Sequence, residues 1–433
     1  VLSVVERLTD GLWRPWLLGA FLLVGLWCSV RSGFFQIFGV KTWWNGSVGA
    51  LKKERGGGKG LSQMQTLATA LASTIGTGAV AGVATALFFG GPGAVFWMWV
   101  SALLGMMTSF AEKALAVKYR VRTAEGWEGG PMEYMRGRLG WRLGAAWFAL
   151  WCAMAALTGG ALVQANSIAH TLQAAFGWGR LTVGLGIALC VGAVLLGGVR
   201  GIGRVSEAVV PVMAALFLGA GMAILWLRRE ALLPALREIV TCALTPRAAW
   251  GGAAGAALRY GVARGVFTNE AGVGSSAMAH AAAGETTARR AGFWGIFETC
   301  FSTLVVCTVT ALVILTTGVL EGPEGLTGAA LARAAFGVGL GRWGEVILTV
   351  CLLLFAFTSL LGWSYYGQRG AGWLGVGRVP FQILYLAAVI LGSVGQVETV
   401  WVLCDLCIGC MAIPNLLAIL ALSGEVLPMA RKP

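Results

Sequence analysis

Apolar residues run along this chain in long unbroken stretches rather than with a period of two or of three to four. Eleven stretches reach or approach the roughly 20 residues needed to cross a ~30 Å hydrocarbon core. They lie at about 14–30, 64–89, 93–117, 143–174, 180–199, 206–228, 253–282, 291–319, 344–368, 379–396 and 399–424. The pattern predicts an all-α membrane protein in which nearly every element is a spanning helix. The longest polar stretches, 31–61 and 118–142, are basic and contain glycine. No linker separates two globular units, so 1–433 reads as one transmembrane domain.

Composition agrees with this pattern. The chain has 57% hydrophobic and 12% charged residues, against about 25% charged in soluble domains. The net charge of +13 raises the question of nucleic acid, and the placement of the charge answers it. With the linker after the first run taken as cytoplasmic, 21 of the 32 basic residues fall in inner segments, 9 in outer ones and 2 within a span. That bias follows the positive-inside rule. It predicts a multi-pass protein of the cell membrane with its N-terminus outside, its C-terminus in the cytoplasm, and no nucleic-acid partner. Its partner is the lipid bilayer; the oligomeric state is left open.

Setting aside the first run and its basic linker (1–61), ten spans remain, five in 64–228 and five in 253–424. An odd number per half makes the second half enter the membrane from the opposite side, which is an inverted repeat. Each half opens with a span interrupted by glycine and hydroxyl residues: Ala72-Ser73-Thr74-Ile75-Gly76-Thr77-Gly78 in the first, and Arg264-Gly265-Val266-Phe267-Thr268-Asn269-Glu270-Ala271-Gly272-Val273-Gly274-Ser275-Ser276 in the second. A helix broken at mid-membrane leaves backbone amides and carbonyls that must face protein, water or ligand. Freed amides at a half-helix start suit a carboxylate, and freed carbonyls at a half-helix end suit a cation. Interrupted helices at matching positions are therefore the sequence mark of a transport site. The bland alternative is that Gly and Thr only permit close helix packing; matched placement argues against it.

Ionisable residues inside the apolar runs are candidates for function. Glu112, Glu207, Glu270, Glu298 and Asp405 qualify, with Arg259 and Arg264 as partners in the second broken span. Glu112 and Lys113 read as interface residues that snorkel. Glu270, in the middle of the interruption, reads as a brace for the broken backbone or as a titrating group. His170 and His280 show no metal-ligand spacing. Cys404, Cys407 and Cys410 lack a fourth cysteine and read as packing residues on one helix face. Gly76-Thr77-Gly78-Ala79-Val80-Ala81 imitates a dinucleotide fingerprint, without the acidic residue ~20 positions on. No nucleophile and base are grouped, so the residues do not describe an enzyme.

The motifs TALASTIGTGAVAGVATALFFGGPGAVFWMW (69–99), VFTNEAGVGSSAMAHAAA (266–283), FAFTSLLGWSYYG (355–367) and MAIPN (411–415) give the chain a resemblance to the alanine or glycine:cation symporter family. Members of that family resemble the LeuT-like fold of the amino acid–polyamine–organocation superfamily, with discontinuous first and sixth core helices. The resemblance implies sodium-coupled uptake of a small neutral amino acid, alanine or glycine, by alternating access. It implies that the substrate carboxylate meets the amides around Thr77 and Gly78. Gln164, Phe267, Thr268, Ser359 and Trp363 complete the pocket, while Asn269, Glu270, Gly272 and Gly274 shape the second break. It also implies a sodium site made by the carbonyls of Ala72, Ile75 and Phe355 with the hydroxyls of Thr358 and Ser359, oxygen ligands of the kind a small hard cation takes. Sodium is thus a co-transported ion, not a prosthetic group. The family usually continues Gly-Thr-Gly-Asn where this chain has Ala79, so the resemblance implies a missing side-chain ligand at a second cation site. Proton coupling through Glu270 is the alternative that this departure motivates.

Overall fold

The computed structural model describes residues 2–53, 60–123, 126–244, 253–322, 325–395 and 397–431. Among these, seven helices are long and apolar enough to cross a bilayer, and eight if one bent pair is counted as a span. The chain opens with α1 (Leu2–Leu12) and α2 (Pro15–Arg31), followed by the short α3 (Phe35–Phe38) and α4 (Val40–Gly46). The first broken span is α5 (Gln63–Thr74) and α6 (Ala81–Gly90), with a tight turn of 3₁₀ helix at Thr77–Ala79 between them and a bend of 59° across the break. Ser62 fixes where α5 starts: its hydroxyl accepts from the Gln65 amide at 3.0 Å and the Gln65 side chain accepts from the Ser62 amide at 3.2 Å, a capping box.

Next come α7 (Gly93–Lys118), a hairpin of β1 (Val121–Thr123) and β2 (Gly126–Glu128), and α8 (Pro131–Gly137). The hairpin sits in the basic stretch 118–142, where the hydropathy pattern showed only a loop. The third core span is α9 (Arg142–Ala155), a π-helical turn at Ala156–Leu162, and α10 (Val163–Phe176). It ends at Gly177, whose φ of +71° is the left-handed C-terminal stop that glycine favours. Then come α11 (Arg180–Leu196), α12 (Gly198–Leu227) and α13 (Arg229–Leu244).

The second broken span is α14 (Ala253–Asn269) and α15 (Ala277–Ala281), separated by seven non-helical residues. After it come α16 (Ala288–Thr299), a π-helical segment at Cys300–Cys307, and α17 (Thr308–Thr317). The continuous trace α18 (Gly328–Trp373) is two helices joined at Gly341, where φ is +62°. The chain ends with α19 (Arg378–Val394) and α20 (Val397–Arg431). The runs at 180–199 and 379–396 thus appear as apolar helices shorter than the others.

The two broken spans lie in the interior and are stitched together at one end. The Leu61 amide donates to the Ala282 carbonyl at 3.3 Å, and the Gly284 amide donates to Leu61 at 3.1 Å. The spanning helices turn leucines and tryptophans outward at positions such as Leu143, Leu189, Leu196 and Trp343, as a lipid-facing surface requires.

Candidate functional site

At the first break, α5 ends because Ile75 leaves helical geometry (φ −90°, ψ 66°) and Gly76 is extended. The last carbonyls of a helix have no partner in its own ladder. Here the Ala72 carbonyl accepts from the Ser359 hydroxyl of α18 at 3.0 Å. One residue earlier on α18, the Thr358 hydroxyl donates to the Phe355 carbonyl at 3.2 Å. Ala72, Ile75, Phe355, Thr358 and Ser359 are all buried. Gly76 lets α18 come close here: a Cβ there would lie 2.6 Å from the Ser359 hydroxyl, which would have to shift.

The second break is built differently. Glu270 has φ of +52° and Gly272 and Gly274 have +88° and +93°, so three residues in seven sit in the left-handed region that glycine tolerates and Glu does not. The Asn269 side chain accepts from the Ala271 amide at 3.0 Å, an Asx turn that starts the unwinding. The Glu270 carboxylate accepts from the Ser275 hydroxyl. Neighbouring helices brace what remains. Glu112 of α7 accepts from the Gly272 amide at 2.9 Å, and the Asn415 amide group of α20 donates to the Gly272 carbonyl at 2.9 Å and to Glu112 at 3.2 Å. Tyr134 of α8 completes the brace with a hydrogen bond to Asn415.

Glu112 and Lys113 are fully buried rather than snorkelling at an interface. The reason is pairing: Lys113 lies 3.3 Å from Glu298 of α16 and 4.0 Å from Glu112, and donates to Ser109 at 2.7 Å. His280 of α15 pairs with Glu298 at 2.5 Å. Buried charges persist when each has an opposite or hydrogen-bonding partner. These contacts link the half-helix after the second break to α7 and α16.

Between the two breaks lies a small cavity of about 30 Å³ lined by Ser73, Thr74, Gly76, Gly78, Gly159, Gln164, Phe267, Glu270, Val273, Trp363, Cys404 and Ile408. Space of that size holds about two waters. Gln164 is held from both sides: its carbonyl accepts from the Thr77 hydroxyl at 3.1 Å and its amide donates to the Gly159 carbonyl at 3.3 Å. Trp363 packs its edge on Tyr366, with ring centroids 5.7 Å apart. Phe267 closes another wall, and the Arg264 guanidinium lies 5.5 Å from its ring and 5.9 Å from that of Trp401. Arg264 also pairs with Asp405 at 3.8 Å, whereas Arg259 pairs with exposed Asp10 at 3.2 Å. Beyond this wall a larger cavity of about 690 Å³ is lined by Thr77, Thr85, Asn166, His170, Arg264 and Trp401, among others.

Gly78, Gln164, Phe267, Glu270 and Trp363 are thus brought to one space. Thr77 reaches it through Gln164, and Ser359 stands beside it against Ala72 and Gly76. Thr268 points elsewhere: its hydroxyl donates to the Gly265 carbonyl at 2.9 Å and lies 3.4 Å from that of Thr303. Sequence reasoning did not single out Gly159 or Ile408; it read Lys113 as a snorkelling residue, Cys404 as packing and His280 as lacking metal-ligand spacing, and met Asn415 only within the MAIPN motif. The available signals were an ionisable Glu298 and Lys113 in apolar runs and a Gly159-Gly160 pair inside a span.

The sequence matches the family described as the sodium:alanine symporter family over residues 1–432. The chain belongs to the sodium:alanine symporter family. Among its relatives, an uncharacterized transporter of Haemophilus influenzae is 42% identical, over 98% of this chain and 94% of that one. The sodium/alanine symporter AgcS of Methanococcus maripaludis is 39% identical, over 98% and 95%. A solved structure of a mutant of the Eremococcus coleocola manganese transporter has a TM-score of 0.53 at 15% identity, covering 84% of this chain and 78% of that one. That likeness concerns the fold alone. The protein is a multi-pass, sodium-coupled amino acid symporter with a LeuT-like helical fold.

Proposed function

We propose that the transporter carries a small neutral amino acid, alanine or glycine, into the cell together with sodium by alternating access around the cavity between the two breaks. The observation that carries this reading is the cavity itself: about 30 Å³, bounded by glycine backbone, Gln164, Phe267 and the bulky Trp363. A space this small leaves no room for a long side chain, and admitting even alanine requires a wall to move. The substrate carboxylate takes the amides around Thr77 and Gly78, with Gln164 beside it. Phe267, Ser359 and Trp363 enclose the rest, and Thr268 holds the second break through Thr303. Sodium takes the oxygens gathered where α5 meets α18, namely the carbonyls of Ala72, Ile75 and Phe355 and the hydroxyls of Thr358 and Ser359. Gly272 and Gly274 permit the second break, and Asn269 and Glu270 shape it.

In this reading residues 64–228 and 253–424 are two inverted five-helix halves, 1–61 holds an extra helix and linker, the N-terminus is outside and the C-terminus cytoplasmic. Ala79 is fully buried, has no side-chain oxygen, and its carbonyl accepts from the Thr310 hydroxyl at 3.0 Å, which supports transport with a single cation. The test is uptake of radiolabelled alanine into proteoliposomes under an imposed sodium gradient, with glycine, serine and D-alanine as competitors. Sodium-dependent uptake blocked by glycine is expected. Uptake indifferent to sodium replacement and driven by a proton gradient refutes the reading.

A further inference from the structure

A second polar cavity, of about 270 Å³, lies at the end of the fold where the two broken spans are stitched together. Six residues separate Trp363 of the central pocket from Arg369 on the same helix, about 9 Å along the axis at 1.5 Å per residue. Ala282, the first residue after α15, also lines it. The cavity therefore lies next to the central pocket along α18, at the stitched end of the fold.

Its chemistry is that of a carboxylate receptor. Arg200, Arg369 and Arg378 line it, and the 30-residue helix α12 begins at its wall, at Gly198. An arginine cluster beside a helix start favours an anion. Arg378 is anchored by donating to the Leu195 carbonyl at 2.9 Å. Arg369 already holds one carboxylate: its Nη1 lies 2.7 Å from Glu128 of the β1–β2 hairpin, while its buried Nε has no hydrogen-bond partner among the described residues. Arginine presents a fork that binds carboxylate with two parallel N–H groups, so Glu128 engages it incompletely.

The hairpin that brings Glu128 has only three residues in each strand. It is held against the fold by Arg120, which donates to the Ala283 carbonyl at 2.6 Å and stacks over Trp127 at 4.3 Å. Burial there pulls the Arg120 pKa below its ordinary value.

The geometry points to a second carboxylate site in this cavity, in which Arg369 exchanges Glu128 for the carboxylate of the amino acid leaving the central pocket. The exchange rests on the proposed reading that substrate leaves at this end. Arg369 keeps one carboxylate partner throughout, since the ligand's carboxylate takes the place of that of Glu128, while the ligand's ammonium group is left to the displaced Glu128. The site needs no sodium, because the oxygens gathered at Ala72 and Ser359 lie apart from it.

The test is equilibrium binding of radiolabelled alanine to the purified full-length transporter in sodium-free buffer. Glu128→Gln removes the competing carboxylate and is expected to tighten this binding roughly tenfold, the worth of one charge-assisted pair. Adding Arg369→Gln to Glu128→Gln should abolish the gain, with the melting temperature reporting that the double variant is folded. Acetate should displace the label and alaninamide should not. No sodium-free binding by the Glu128→Gln protein, equal binding by the double variant, or displacement by alaninamide overturns the proposal. The gain in Glu128→Gln cannot come from misfolding. Failure of the transport reading shows separately, as absent sodium-driven uptake by the wild type.

Discussion

Replacing Gly159 by Ala tests whether the central cavity has the shape described. Gly159 lies in the π-helical turn of the third core span, and a Cβ built there comes 2.3 Å from the Cys404 sulfur, with the Cys404 Cβ next at 3.5 Å. Ordinary van der Waals contact begins at 3.4 Å, so the new methyl overlaps the sulfur by more than 1 Å while clearing the carbon behind it. Both residues belong to rigid helices, and forcing an extra methyl into a packed interior costs about 1–3 kcal/mol. Because both residues line the cavity, strain borne by the substrate-bound form weakens apparent affinity by roughly 5- to 150-fold. Cys404→Ala removes the clashing atom. The structure therefore expects Gly159→Ala to raise the KM for alanine and lower the melting temperature. Gly159→Ala with Cys404→Ala should recover most of both, and Cys404→Ala alone should have a small effect. The assay is sodium-driven alanine uptake across the four proteins of the cycle, with thermal unfolding in detergent as the second readout. A coupling energy near zero, or a Gly159→Ala protein that matches wild type, would refute the packing described.

Two further perturbations address other parts of the site. Ala79→Asn supplies the side-chain oxygen that the first break lacks and should change the steepness of the sodium dependence of uptake; an unchanged steepness counts against the single-cation reading. Lys113→Met strips the ammonium from Glu298 at 3.3 Å and Glu112 at 4.0 Å and should destabilise the protein by about 3–5 kcal/mol, the cost of leaving a buried charge uncompensated. Lys113→Met with Glu298→Gln should regain part of that loss, and a Lys113→Met protein that melts at the wild-type temperature contradicts the pairing.

How much of this was legible beforehand differs from residue to residue. The apolar runs follow from the bilayer, which demands about 20 apolar residues per crossing whatever the helices pack against. That demand is local, so a single sequence declares it. The two interruptions were equally plain, because Gly76, Gly78, Gly272 and Gly274 are a backbone requirement written in residue type, and Gly272 and Gly274 adopt the positive φ that only glycine takes readily. Gln164, Phe267 and Trp363 were placed through the family resemblance, and they meet in one cavity.

What the tertiary structure alone decided are the partners. Glu112 and Lys113 adjoin a basic loop in sequence, which suggested an interface. Their burial depends on Glu298, Asn415 and the Gly272 amide, which arrive from 160 to more than 300 residues away. Thr268 carries a hydroxyl just before the break, yet its place on the last turn of α14 sets it against the Gly265 carbonyl and Thr303 rather than the cavity. Gly159 and Cys404 are ordinary residues for a membrane helix until a π turn and the packing of α20 set them against each other. The hairpin holding Glu128 against Arg369 has strands of only three residues each, too short for a periodicity to show. Local chemistry and the bilayer wrote the helices and their breaks into the sequence; which charges and hydroxyls face one another depends on helix rotation and contact across hundreds of residues, and only the packed structure specifies that.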